Sequence, residues 1–391
     1  GYIVRNSPGN AQINNQYLVN NAFVGNLNEN RDYERDKKVF NNVLGLDYDI
    51  STKATLNATF TLNIVDGVDK TSNISNYTDA NNLLIESFEK KERNKNEANI
   101  YELSLSYTKN YSKEGQYLNL NYSNSLSDNF ANSVINHLNT FPTVGEDLAK
   151  NLWIQDESKE NNHFFGFVYS HPMGKSTLLE IGNENTLGDL KTNYDLRNFS
   201  IANQTFVLNP QYSTTFNYID KIYAFYAKIE TTYKKLSLSA GLRTEMADIS
   251  FGLANNTNSY SEKNTDFFPS SHLSYEFSDT QSISLSYGKR IIRPNFWMIN
   301  PFETKISEQN IVVGNPALIP FFSDIYDLKH LKKWDKLSFS TSIYLKDYTD
   351  VPDRITFSKG ATINNKPIEI TTYKNISTIT QIGLEFFANY T

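Results

Sequence analysis

The stretch "TLNATFTLNI", residues 55–64, repeats with a period of two. Leu56, Ala58, Phe60, Leu62 and Ile64 fall on one side, and Asn57, Thr59, Thr61 and Asn63 on the other. Successive side chains of a β-strand point to opposite faces, so this pattern predicts a strand lying between two unlike media. The arrangement recurs in "YELSLSY" (101–107), "YLNLNYSNSL" (117–126), "LSLSAGLRTEM" (236–246), "SISLSY" (282–287) and "LSFSTSIYL" (337–345). Helical spacing is confined to short pieces, of which "EDLAKNLW" (146–153) is read as a helix. The fold class is all-β.

The connections alternate in length. Short turns rich in Gly, Pro, Ser, Asp and Lys fall at 50–53, 109–116, 171–176, 232–235, 278–281 and 332–336, as tight hairpins require. Between them lie long polar stretches, about 66–97, 128–160, 188–216, 249–265, 294–322 and 350–375, read as loops. An antiparallel up-and-down meander with short turns at one end and long loops at the other describes a transmembrane β-barrel. A soluble β-sandwich also alternates, but its Greek-key connections do not gather the long loops at one end.

Composition sets further bounds. The chain has 391 residues, no cysteine, 14% aromatics and a net charge of −6. Without cysteine there is neither a disulfide framework nor a thiolate metal site. The acidic balance and the lack of a basic stripe argue against nucleic acid as a partner; "EKKER" (89–93) is mixed in sign. No apolar run approaches the ~18 residues of a membrane helix, a test that β-barrels escape. The first residues lack the signal-peptide pattern of a charged region, apolar core and cleavage site.

Two details favour lipid on the apolar face. Tyrosines 48, 107, 117, 122, 169, 287, 344, 348 and 390 gather towards strand ends, as interfacial girdles would arrange them. Isolated charges (Glu102, Arg243, Glu245, Lys346 and Glu385) sit on the polar face. In lipid an Arg or Lys costs about 2–4 kcal/mol, but little in a wet lumen. Leu56, Phe60, Leu103, Leu105, Leu120, Leu238, Leu285, Phe339 and Leu384 are therefore expected outside, with Asn57, Ser104, Asn121, Ser239, Ser284, Ser340 and Glu385 inside.

One segment breaks the rhythm: "IIRPNFWMINPFETKISEQNIVVGNPALIP" (291–320), with four prolines, two of them after asparagine. Proline cannot donate to a strand ladder, so the segment is one of the long loops. Its residues resemble the barrel signature of TonB-dependent receptors, specifically their outer-membrane β-barrel family in Bacteroidetes-type bacteria. Arg293-Pro294, Asn300-Pro301-Phe302 and Gly314-Asn315-Pro316 with Leu318 and Pro320 match that pattern, and "TITQIGLEFFANY" (378–390) resembles its following strand. The motif residues are read as structural. The loop aromatics Phe296, Trp297 and Phe302 are the candidate ligand contacts, against the alternative that they fold the loop over the mouth.

The resemblance implies a bacterial outer-membrane receptor that takes up a scarce nutrient. Its partners would be outer-membrane lipid, a small-molecule, glycan or peptide ligand, and an inner-membrane energy-coupling complex acting through a plug domain. Residues 1–391 are read as a single barrel domain of about 13 strands, out of the 22 with which plugged transporters close. On that count the chain is a fragment lacking the N-terminal plug and the C-terminal strands. Rival readings are a non-transporting adhesin or assembly barrel, and a secreted β-sandwich binding module.

No enzymatic chemistry is expected. His137, His163, His171, His272 and His330 lie far apart, and none has metal-ligand spacing with a carboxylate. The acidic stretch 145–158 lacks the ordered oxygen spacing of a calcium loop. No phosphate loop or nucleophile elbow occurs. Neither a cofactor nor a metal is implied, and no catalytic residue is assigned.

Overall fold

The computed structural model describes residues 1–19, 22–142, 149–254, 259–305, 310–363 and 366–390. In chain order the strands are β1 Tyr2–Val19, β2 Ala22–Ser51, β3 Ala54–Asp79, β4 Leu84–Asn110, β5 Tyr117–Phe141, β6 Ala149–Pro172, β7 Thr177–Ser200 and β8 Thr205–Leu208. They continue as β9 Thr214–Tyr233, β10 Leu236–Leu253, β11 Ser259–Ser278, β12 Gln281–Ile292, β13 Thr304–Lys305 and β14 Asn310–Val312. The last three are β15 Phe321–Lys333, β16 Leu337–Ile363 and β17 Lys366–Tyr390, and a single-turn helix α1, Phe296–Ile299, lies between β12 and β13. Of these seventeen strands β8, β13 and β14 are short, and the remaining fourteen form one antiparallel meander. The sequence had given about 13.

The meander runs β1 to β7, then β9 to β12, then β15 to β17, each strand paired with the next. Among the described pairings none joins β1 to β17. Tight turns sit at one end, for example at residues 52–53, 234–235 and 279–280.

At the other end the expected loops prove to be mostly strand. β3 and β4 stay paired from Ala54↔Lys109 to Thr78↔Leu84, through nearly all of 66–97. The same correction applies to 128–160, 188–216, 249–265 and 350–375, where paired strands continue to within a few residues of each tip. Beyond the membrane both faces of a hairpin meet water, so alternation disappears while the backbone ladder persists. The helix expected at 146–153 is also corrected. Residues 149–153 open β6 and pair with β5, while 146–148 lie outside the described residues. Cross-strand pairing overrides a weak local helical spacing there.

The polar face is the concave one. Tyr117 Oη on β5 donates to Glu180 on β7 at 3.0 Å, past β6. Arg243 on β10 likewise reaches Glu184 on β7, past β9. Strands two apart are separated by about 9.5 Å, so such contacts need a sheet curved towards that face. On the opposite face Leu56, Phe60, Leu103, Leu105, Leu120, Leu238, Leu285 and Leu384 are exposed, as expected for a lipid surface. Phe339 shares that face and is half-buried against Phe386.

Register gives the strand tilt. From Ile64 it runs through Asn99, Asp128, Lys159, Lys191, Asn217 and Gly252 to Ser259. On the outward face the apolar row gives way to Asp66 after Ile64 on β3, and to Thr265 after Phe267 on β11. The boundary therefore drops eight residues, from Ser259 to Phe267, in seven strand steps. With about 3.3 Å per residue and about 4.8 Å between strands, that is a tilt of about 38°. Transmembrane barrels tilt by about 35–45°.

Candidate functional site

The described parts of the segment, residues 293–305 and 310–320, do not hang free above the sheet. They fold inwards and lie across the concave face, and the Asn-Pro pairs build them from within. Asn300 Oδ1 accepts from Phe302 N at 3.1 Å, and Asn315 Oδ1 accepts from Ala317 N at 3.0 Å. Each asparagine thus closes a turn around the proline that follows it, whose ring fixes the backbone. The two turns are stitched together: Gly314 N donates to Asn300 O at 2.9 Å and Asn315 N to Met298 O at 2.7 Å.

Three sets of contacts moor the segment. At its start Arg293 pairs with Glu245 on β10 at 2.9 Å, and Glu245 also accepts from Arg243 Nε at 2.9 Å. In its middle, Ile299 and Leu318 join Phe216, Ile249 and Phe251 in a buried cluster flanked by Tyr218, Leu253, Tyr260, Met298 and Tyr373. At the far side Asn315 Nδ2 donates to Tyr373 O at 2.9 Å. The Asn375 side chain clasps the Ile319 backbone from both sides, at 3.0 and 3.1 Å. β14 adds a parallel pairing to β17, Ile311↔Ile370.

Phe302 completes the span, packing on Tyr194 of β7 with ring centroids 5.6 Å apart. One segment therefore touches β7 and β10 on one side and β17, five strands beyond β10, on the other. That is feasible only because the sheet curls around it.

The sequence-derived residues divide accordingly. Arg293, Pro294, Asn300, Pro301, Phe302, Gly314, Asn315, Pro316, Leu318 and Pro320 all belong to this one folded unit, with Leu318 4% and Phe302 9% exposed. Phe302 is thereby part of the packing. Trp297, at 49%, and Phe296, at 38%, remain open to solvent, and Trp297 meets Tyr373 edge-on. Glu245, Tyr194, Tyr373 and Asn375, which receive the segment, carried no signal tying them to it, because their nearness depends on the curvature of the whole sheet.

Under Phe302 lies a half-buried polar pair. Tyr194 and Asp156 face each other in register. Burial, reinforced by the Asp156 carboxylate, pushes the Tyr194 hydroxyl up to about 12, and burial alone raises Asp156. Burial in the loop core likewise pushes Tyr218 up to about 12. Asp156 Oδ1 has no hydrogen-bond partner among the described residues. An acid whose folded pKa is raised holds its proton more tightly when folded. Stability is then lost as pH rises through the window between the unfolded value and the raised one.

Asp156→Asn is expected to remove that loss and flatten the pH dependence there. It should stabilise the outer hairpins by on the order of 1 kcal/mol at neutral pH. Hydrogen exchange of β6 and β7 amides at pH 4 and pH 7 measures both effects, and an unchanged pH dependence would contradict the assignment.

Among the described residues no group of three or more His, Cys, Asp or Glu is arranged to hold a metal ion. Some charged groups of the concave face pair with one another, as Lys228 does with Glu230 at 3.1 Å.

Comparison with known proteins agrees with this architecture. Residues 109–391 match the model of the outer membrane protein beta-barrel family, well over half of the chain. No curated protein matches. Among solved structures, the copper transporter OprC superposes with a TM-score of 0.54 at 12% identity, covering 100% of this chain and 59% of its own. A double mutant of the Serratia marcescens hemophore receptor HasR, bound to its hemophore HasA and heme, gives 0.53 at 10% identity, covering 98% and 61%. FpvAI in complex with pyocin S2 gives 0.53 at 13%, covering 100% and 54%. Identities this low speak for the fold alone, and the chain spans about three fifths of these proteins or less. With its tilted meander, lipid-facing leucines and matching family model, the chain belongs to the outer membrane β-barrel family and lies in the bacterial outer membrane.

Proposed function

We propose that this chain is the barrel wall of a TonB-dependent receptor that takes up a scarce nutrient. The observation that carries the reading is the inward-folded segment 293–320, seated on a polar concave face and narrowing the mouth from β7 to β17. A mouth narrowed by the chain's own loop suits a barrel that admits selected ligands. Trp297 and Phe296 are the ligand contacts we assign within it, while Phe302 and the Asn-Pro motif hold the scaffold. The matched structures carry different cargoes in their names, so none transfers to this chain.

The open sheet supports the same reading. β2 runs eleven residues past its last pairing with β1, Tyr2↔Phe40, and the outer edge of β17 below the β14 contact is likewise free among the described residues. In lipid each unpaired backbone group costs several kcal/mol, so these edges call for further strands of the same protein. Closure at about 22 strands leaves a lumen that a plug must fill. The plug would pass the pull of the inner-membrane energy complex to the bound ligand.

The full-length protein in planar bilayers tests this directly. A sealed barrel, together with binding of the periplasmic domain of the energy-coupling protein, is the expected result. A constitutively open pore with no such binding would refute transport and favour an adhesin or assembly barrel.

A further inference from the structure

At one level of the β16–β17 hairpin three things happen together. The ladder to β15 ends, at Phe322↔Thr349, so above it β16 has only β17 beside it among the described pairings. Both strands of the hairpin then slip register: β16 gains a residue between Tyr348 and Val351, and β17 gains one, Ile376, between Asn375 and Ser377. Within the first of these bulges Asp350 takes a left-handed backbone, φ 60°, which is strained for a residue with a side chain. Asn375 lies seven residues above Ile382, where the outward apolar row of β17 gives way to Thr380. At the tilt derived above a residue climbs about 2.6 Å, so the irregularity stands about 18 Å above the apolar boundary.

The far edge of the hairpin is taken as well. β14 pairs in parallel with Glu369–Thr371, Val313 N donates to Thr371 O at 3.0 Å, and Asn315 Nδ2 occupies Tyr373 O. A wall strand running up β17 would need those same carbonyls, so its ladder must stop near Asn375. Above that level the hairpin stands outside the wall, and its third strand is the mouth segment itself. A two-stranded hairpin is marginal alone in water, whereas three strands can hold. Lys359 adds an ion pair to Glu303 of the segment at 3.1 Å. Asn375 joins the two parts at the bend: besides clasping Ile319, its Nδ2 donates to Asp350 O at 2.6 Å. On the inner side Leu318 and Tyr373 rest on Phe216, Ile249 and Phe251, an apolar contact without directional bonds.

We propose that residues 351–360 and 368–375 of this hairpin and 310–320 of the mouth segment form one flap over the mouth. It is hinged at Asp350–Pro352 and Asn375–Ser377, and Asn375 couples the hinge to the mouth segment. The described state is the closed one; swinging outwards unseats Leu318 and Tyr373 together and widens the mouth. The use of the flap in uptake rests on the receptor reading, but its movement is measured without transport. The full-length protein in detergent carries spin labels on Ser358→Cys, in the flap, and Ser261→Cys, on β11, and pulsed electron resonance gives the distance between them. The wild type is expected to show a main distance and a minor longer one. Asn375→Ala, which loses three hydrogen bonds, should raise the ratio of longer to shorter about thirtyfold. Asn375→Asp keeps the bond from Ile319 N and should fall between the two. Amide exchange at 311–313, 319 and 353–357 should accelerate together in Asn375→Ala, with 338–347 unchanged. Two distances in a protein that takes up nothing would support the flap and refute the receptor reading instead. A single unchanged distance in all three proteins, or acceleration confined to Ile319, would overturn the flap. So would exchange of the upper hairpin in step with its membrane half, which leaves no hinge.

Discussion

Gly314→Ala is expected to unseat the mouth segment while leaving the barrel intact. A methyl group at this position would lie 2.5 Å from Asn300 O, 2.6 Å from Asn300 N and 2.8 Å from Met298 O. All three are backbone atoms, and two of them belong to the turn around Pro301. None can swing aside as a side-chain tip would, so the two Asn-Pro turns must separate. Overpacking of this kind costs about 1–3 kcal/mol. The hydrogen bonds from Gly314 N and Asn315 N add about 1 kcal/mol each when lost. Amide exchange at Gly314, Asn315, Leu318 and Ile319 should rise by two to three orders of magnitude, with β9 and β10 unchanged in their membrane halves. Exchange as slow as in the wild type would mean that the turns are not held together as described.

Glu245→Ala should produce an effect of similar size by a different route. Glu245 is the acceptor shared by Arg243 and Arg293, and it is itself buried. Its loss leaves Arg243 with Glu184, but strips Arg293 of its carboxylate in a side-chain environment only 18% exposed. Removing one partner of a buried ion pair typically costs about 3–5 kcal/mol, because the other charge stays desolvated. The segment's first mooring should fail, and proteolysis near Arg293 should accelerate. Arg293→Ala alone removes the same bond but leaves Glu245 satisfied by Arg243, so it should be the milder change. The double variant should resemble Glu245→Ala only if repacking outweighs the stranded charge; recovery towards Arg293→Ala is the expected outcome.

What the sequence made legible follows from the media on either side of each strand. Between lipid and water, residues such as Leu103 and Ser104 must alternate, and the pattern survives any change of neighbours. Above the membrane that constraint vanishes. Lys70 and Arg93 sit in a regular ladder, yet nothing in 66–97 distinguishes it from a loop, because both faces are wet. The segment 291–320 announced itself through its prolines and could be delimited almost to the residue. Its partners could not. That Phe302 rests on Tyr194 and that Asn375 clasps Ile319 depend on a curvature summed over many strands. The same reason separates Phe302 from Trp297, which look alike in sequence until burial sets one in the packing and leaves the other open.

The tilt and the strand lengths together set the depth of the molecule. β3 has 26 residues, which at about 2.6 Å of climb each makes a wall about 65–70 Å tall. Lipid takes about 25 Å of this. Some 40 Å of doubly wetted β-sheet then rises above the bilayer as a collar, with the mouth segment set well below its rim. An antibody or protease arriving from outside meets the hairpin tips first. On the reading proposed above, a ligand would have to pass this collar before meeting the exposed aromatic side chains at 296 and 297.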